Sequence, residues 1–127
     1  MKTISIIPAR MNSSRFPGKP MEKICGIPMI GHCYNRSIMC SKLDETFVAT
    51  CDKEIHNYIK SIGGNSIMTS KNHTRASDRT AEALNKIEKK YNTKIDIVVM
   101  IQGDEPLIHP SMIASALQPF KNKNVNV

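Results

Sequence analysis

Tryptophan is absent from this 127-residue chain, and three Phe and three Tyr are its whole aromatic complement. Stacking platforms for bases are therefore scarce, and no familiar nucleic-acid-binding motif is present, so a nucleic-acid partner rests on net charge alone. No apolar run approaches the roughly 20 residues that a membrane-spanning helix needs. The N-terminus reaches Arg10 too soon to hold a signal-peptide apolar region, and a cytoplasmic location without membrane contact is the expectation. The four cysteines, Cys25, Cys33, Cys40 and Cys51, form no Cys-x-x-Cys and have no His at zinc spacing. Reduced, structural thiols fit them best. Neither Gly-x-x-x-x-Gly-Lys nor Gly-x-Gly-x-x-Gly occurs, so nothing points to a P-loop ATPase or a dinucleotide enzyme. Acidic residues are also few, with 11 Asp+Glu against 18 Lys+Arg and a net charge of +7. That balance favours an anionic partner: a nucleotide, an acidic sugar or nucleic acid.

What is present is an ordinary globular composition, 40% hydrophobic and 23% charged, enough for one domain around one core. Residues 3–7 form a compact β-branched run, read as a buried parallel strand. The stretch 6–20 (Ile-Ile-Pro-Ala-Arg-Met-Asn-Ser-Ser-Arg-Phe-Pro-Gly-Lys-Pro) then places Arg10, Arg15 and Lys19 among Asn12, Ser13, Ser14 and Gly18. A cationic loop at the carboxyl end of a first strand is either a plain connection with solvated charges or a grip for a polyphosphate, built from backbone N–H groups, Arg forks and a Lys.

Further along, residues 21–26 read as a short extended piece. A helix from Met29 carries Ile30, Cys33, Tyr34 and Ile38 on one face. Residues 46–50 form a second strand, and Asp52 N-caps a helix whose face is Ile55, Tyr58, Ile59 and Ile62, stopped by Gly63-Gly64. Residues 66–68 are a short strand and 71–78 a polar loop. A helix running to about Tyr91 follows, with Thr80, Leu84, Ile87 and Tyr91 at helical spacing. Residues 95–101 are the strongest strand pattern, and Pro110 opens a last helix that Pro119 ends. Strands alternating with helices predict right-handed crossovers and a Rossmann-like, three-layer α/β domain with a mainly parallel sheet.

Three polar loops should then share one rim of the sheet. The first brings Arg10, Arg15 and Lys19, the second His73, Arg75, Ser77, Asp78 and Arg79, the third Gln102, Asp104 and Glu105. Cations converging with an acidic pair describe a site for a magnesium-bound polyphosphate, with Asp104 as the candidate Mg²⁺ ligand. Read alone, Asp104 is equally a turn residue before Pro106, and His73 a loop histidine bonded to backbone.

These residues carry a family resemblance. Ile7-Pro8-Ala9-Arg10-x-x-Ser13-x-Arg15-x-Pro17-Gly18-Lys19-Pro20, Gly26-x-Pro28-Met29-Ile30 and Val99-x-Ile101-Gln102-Gly103-Asp104-Glu105-Pro106 resemble the cytidylyltransferases that make CMP-activated 3-deoxy-octulosonate sugars, over nearly the whole chain. The resemblance implies a nucleotide-diphospho-sugar transferase fold and Mg²⁺-assisted transfer of CMP from CTP to an acidic keto-sugar, releasing pyrophosphate. It implies catalytic roles for Arg10, Lys19 and Asp104, the last holding Mg²⁺. It implies nucleotide contacts from Pro8, Ala9, Arg10, Ser13, Arg15, Lys19, His73, Ser77, Arg79 and Gln102.

The family's usual His-x-Ser-Gly-Thr-Glu-Arg stands here as His73-Thr74-Arg75-Ala76-Ser77-Asp78-Arg79, which leaves open a different acidic sugar. Family members are roughly twice this length, so the chain is expected to be the N-terminal, nucleotide-binding half of a homodimeric enzyme. A CTP-binding module without catalysis is the alternative.

Overall fold

A computed structural model describes residues 2–11, 19–73, 75–102 and 110–117. Strand β1 (Thr3–Pro8) is buried along its whole length, as a parallel strand covered on both faces must be. It pairs in parallel with β4 (Glu45–Thr50) on one side and β6 (Ile97–Met100) on the other, and β5 (Asn65–Met68) pairs in parallel beyond β4. The order is β5-β4-β1-β6. The chain steps outward from β1 to β4 to β5, then returns across β1 to lay down β6. Strand order therefore reverses between β1 and β6, and at such a switch point a crevice opens outside the strands' carboxyl ends.

Period-two alternation sorts the apolar side chains into two cores. Ile7 and Val48 point to the layer that holds α1 (Met29–Ile38), α2 (Lys53–Ser61) and α4 (Pro110–Leu117), where they meet Ile30, Cys33, Ile55, Ile59 and Ile113. Ile4, Ile6, Phe47, Ala49 and Ile67 point the other way, against Ala83 and Ile87 of α3 (Ala76–Tyr91). Helices thus cover both faces, and the expected three-layer α/β architecture with a parallel sheet is what forms.

The departures have local causes. Residues 21–26 are not one extended piece: Lys19–Met21 is a 3-10 turn, and β2 (Lys23–Ile24) pairs antiparallel with β3 (Ile27–Pro28). Cys25 and Gly26 both have positive φ (53° and 81°), the backbone that a two-residue hairpin turn requires. The terminal apolar residues assigned to helix faces drift outward, Ile38 being 52% exposed, Ile62 42% and Tyr91 45%. β6 is shorter than its apolar run, because Asp96 and Ile97 both turn their N–H groups onto Lys2 O at the strand's start. Helix α3 begins at Ala76, directly after extended Arg75, so Ser77, Asp78 and Arg79 lie on its first turn and not in the loop. A carboxylate there suits the positive end of the helix dipole. At the other end, left-handed Asn92 (φ 49°) closes the helix, as C-terminal caps often do. Among the described residues, no helix is long and apolar enough to cross a membrane.

Candidate functional site

Because the four strands of the main sheet are parallel, the segments that follow them leave from one rim. The first leaves β1. Pro8 and Ala9 are buried, and the Ala9 N–H donates to Ala49 O at 2.9 Å, which prolongs the β1–β4 ladder past the strand end. Arg10 comes next, half-buried at the mouth of the rim. The Met11 N–H then donates to Asp52 Oδ2 at 2.8 Å. Asp52 follows β4, and at the N-cap of α2 its side chain makes no cap hydrogen bond. Its carboxylate is committed to the cationic loop, and the expected capping role is corrected to that of a clamp. Lys19 re-enters half-buried on the 3-10 turn, whose last carbonyl contacts lead into α1: the Glu22 N–H donates to Lys19 O and the Met29 N–H to Glu22 O. Ser13 and Arg15 lie outside the described residues.

The segment after β5 is braced from α3. Glu82 Oε1 accepts from His73 Nε2 at 2.6 Å and from the Ser70 N–H at 3.0 Å, while Glu82 Oε2 takes Lys86 Nζ at 2.9 Å. Partial burial opposes ionisation of Glu82, but the hydrogen bonds from Lys86, Ser70 and His73 outweigh it and pull its pKa from 4.5 to about 2. Glu82 is therefore an anion at neutral pH, an acceptor only. Arg79 is only 3% exposed. Its Nη2 donates to Ser70 O and His73 O, both at 3.4 Å, and its Nε has no partner. No carboxylate among the described residues pairs with it. A buried cation in that position is costly unless an anion approaches it. Ser77 is exposed on the first turn of α3, as are Arg75 before it and Asp78 beside it.

The third segment leaves β6. The Ile101 N–H donates to Ile6 O at 3.0 Å, extending the β1–β6 ladder to the edge of the switch point. Gln102 follows, exposed, with Cys33 Sγ 4.0 Å from its carbonyl. Asp104 and Glu105 lie outside the described residues. Among the described residues, no three His, Cys, Asp or Glu side chains gather as a metal site. A magnesium assignment rests on Asp104 alone, and no chemical step is derived through it.

Of the expected site residues, the structure brings Pro8, Ala9, Arg10, Lys19, His73, Ser77, Arg79 and Gln102 to segments at or just beyond this rim. It adds two that the sequence did not mark. Asp52 clamps the first segment and Glu82 the second. Their signals were faint: an acid two residues past an apolar strand, and an acid four residues before Lys86 on a helix. What the arrangement can do is neutralise and position a polyanion with cations and N–H donors, the main demand of phosphoryl-type transfer.

The family described as cytidylyltransferase matches residues 4–127. A relative from Trichlorobacter lovleyi called 3-deoxy-manno-octulosonate cytidylyltransferase is 45% identical over 120 residues, 94% of this chain and 45% of that protein. One of the same name from Thermodesulfovibrio yellowstonii is 44% identical over 129 residues, covering 100% of this chain and 51% of the relative. A solved structure of CMP:2-keto-3-deoxy-manno-octonic acid synthetase complexed with CTP superimposes with a TM-score of 0.87 at 38% identity, covering 95% of this chain and 48% of that one. The chain thus spans about half the length of the curated relatives it matches.

Proposed function

The chain belongs to the cytidylyltransferase family, and on that premise we propose that it is the nucleotide-binding part of an enzyme that transfers CMP from CTP to an acidic keto-sugar. The sugar is 3-deoxy-manno-octulosonate or a close analogue, the acceptor in the names of its relatives. In the reaction the anomeric hydroxyl oxygen bonds to the α-phosphorus of CTP. The bond from that phosphorus to the α,β-bridging oxygen breaks, pyrophosphate leaves, and the hydroxyl proton passes to solvent.

The observation that carries this reading is the clamped cationic segment at the switch point. Arg10 follows buried Ala9 and precedes Met11, and both neighbours are tied by hydrogen bonds to β4 and the segment after it. A backbone fixed on both sides aims the guanidinium without a large ordering cost on binding, the condition for electrostatic stabilisation by preorganised groups. Lys19 supplies a second cation, Arg15 a third, and Gln102 at the far side of the switch point a polar contact. Asp104 would be the magnesium ligand. Bound there, Mg²⁺ would neutralise phosphate charge.

Pyrophosphate release with CTP and a panel of acidic sugars tests the proposal. Release with 3-deoxy-manno-octulosonate supports it, and release with another acidic sugar but not with that one overturns the substrate assignment. CTP binding without any release reassigns the chain as a CTP-binding domain. In an active, full-length form Lys19→Ala should raise the CTP concentration needed about tenfold, as loss of one charge-assisted contact does. Asp104→Asn should abolish Mg²⁺-dependent turnover with the fold intact, and near-normal turnover would remove the metal assignment.

A further inference from the structure

At the end of the sheet opposite the switch point, the packing of α3 on the strands leaves a space. Ile4 and Ile6 of β1 and Phe47 and Ala49 of β4 face α3. The same alternation, carried two residues back, brings Lys2 and Glu45 to that face. There they join Ile87, Tyr91, Thr93 and Ile95 around a cavity of about 170 Å³. Ile87 and Ile95 are buried and form its floor, while Lys2, Glu45 and Thr93 are half-buried and Tyr91 is exposed, which puts the charges at the mouth. Among the described residues, no ion pair joins Lys2 to Glu45 or either of them to another side chain. Two opposite charges thus share one small cavity without closing on each other. The Phe47 and Tyr91 rings, tilted at 57° with centroids 6.1 Å apart, fix the wall where β4 meets the end of α3. Since β1 is six residues long, about 20 Å separates this cavity from the rim that holds Arg10.

We propose that this cavity is a second ligand site, which takes a small zwitterion with an apolar side chain: a free aliphatic α-amino acid of the size of leucine. Its ammonium group meets Glu45, its carboxylate meets Lys2, and its side chain lies against Ile87, Ile95 and the Tyr91 ring. The site is independent of the nucleotide-binding reading above. Volume sets the size of the occupant. A cavity of about 150 Å³ lined by aliphatic and aromatic groups takes benzene, so one branched aliphatic group fits here. A nucleotide does not, since pockets for ligands of that size start at about 300 Å³. Charge sets the rest. An anion drawn to Lys2 would be repelled by Glu45, and a cation drawn to Glu45 would be repelled by Lys2. A ligand with both charges on one carbon satisfies the two together. Helix α3 ends at this cavity, with Tyr91 and Thr93 on either side of the left-handed Asn92 cap. The negative end of its dipole favours the ligand's ammonium on that side. Glu45 is on that side too, two residues before Phe47, whose ring meets Tyr91.

Titration of the isotope-labelled chain with L-leucine, followed by amide chemical shifts in NMR, tests the proposal. The expected result is saturable shifts centred on Lys2, Glu45, Tyr91, Thr93 and Ile95, with a Kd on the order of millimolar, as pairing to half-exposed charges gives. Leucinamide lacks the carboxylate and N-acetyl-leucine the ammonium, and each should bind about threefold or more weaker. Glycine keeps both charges but has no side chain to bury, and should bind at least about tenfold weaker. Glu45→Gln should weaken leucine about threefold or more and leave N-acetyl-leucine unchanged, because that ligand has no ammonium to lose a partner. Lys2→Gln should do the same to leucine and leave leucinamide unchanged. Both side chains are half-exposed at the start of their strands, and amide spectra that match the parent away from the cavity show that the fold is kept. Saturating CTP should leave leucine binding within about twofold, as two sites at opposite ends of the sheet require. The absence of saturable shifts at these residues overturns the inference. So does leucinamide or N-acetyl-leucine binding as tightly as leucine, or displacement of leucine by CTP. None of these outcomes touches the nucleotide-binding reading, which is tested by CTP itself.

Discussion

The most direct physical test concerns Glu82 without any ligand. Its carboxyl is held at about 2 in the folded protein against an ordinary 4.5. A folded-state pKa below the unfolded one means that the unfolded chain takes up a proton first as the solution is acidified. The stabilisation is therefore fully present above pH 4.5 and is lost as pH falls from there towards 2. Each tenfold difference in proton affinity between the two states is worth about 1.4 kcal/mol, so the folded chain gains about 3 kcal/mol at neutral pH. Glu82→Gln keeps the shape but cannot ionise, so it should be less stable than the parent by about 2 to 3 kcal/mol at pH 7. The assay is urea unfolding of both proteins at a series of pH values from 7 down to 3. The gap between them should close steadily below pH 4.5. Added salt should reduce it only in part, since Lys86 is half-exposed while the Ser70 N–H and His73 are less so. A gap that stays constant with pH would refute the reasoning, because it would mean that shape and not charge is what the fold needs there.

Two further perturbations follow from the packing. Asp52→Ala removes the acceptor of the Met11 N–H, which is 2.8 Å away; CTP affinity should fall about tenfold, measured by calorimetry, and an unchanged affinity would mean that the clamp does not aim Arg10. Gly64→Ala would put a methyl 2.8 Å from Ile59 Cγ2 and 3.0 Å from the Tyr34 ring, in a core that cannot open cheaply; a loss of about 1 to 3 kcal/mol in denaturant unfolding is expected, and a loss below about 0.5 kcal/mol would show that Tyr34 yields.

The architecture was legible because burial writes itself into local pattern. Residues 3–7 are apolar enough to read as a covered strand, and the strand appears at Thr3–Pro8. The 3.6-residue spacing of Ile55 and Ile59 placed α2 correctly, and both side chains are fully buried. The pattern fails where an element ends. Ile62 continues the apolar spacing but follows α2's last residue, so it is largely exposed. The site was legible in part, for a related reason. Arg10 and Lys19 stand out as charges beside a strand end and a turn. Asp52 and Glu82 do not, because what they do is decided by partners 41 and 12 residues away. Arg79 stands among the converging cations of the second loop, but nothing in that polar stretch signals that it is buried under the carbonyls of Ser70 and His73.

How the carboxylates are used explains why, among the described residues, Arg10 and Arg79 lack carboxylate partners. Asp96 accepts the Lys2 N–H at 2.7 Å, Asp44 the Thr3 N–H at 2.7 Å and Glu88 the Ile95 N–H at 2.9 Å, which pins the amino ends of β1 and β6. Asp52 and Glu82 do the same for the segments that leave β1 and β5. Five acids are thus occupied with backbone donors, in a chain that has 11 Asp+Glu against 18 Lys+Arg. Among the described residues, the ion pairs are those of Glu82 with His73 and Lys86. Arg10, half-buried, and Arg79, almost fully buried, are given no carboxylate there. A fold that fixes its loops with acids in this way forgoes those acids as counterions, so that among the described residues Arg10 and Arg79 carry no paired carboxylate. A desolvated cation is stabilised by an approaching anion more than a hydrated one is, so the proposed polyphosphate would be favoured beside Arg10 and Arg79, which no described carboxylate pairs with. Loop posture therefore draws on the same carboxylates, Asp52 given over to the Met11 N–H and Glu82 divided between the Ser70 N–H and the side chains of His73 and Lys86.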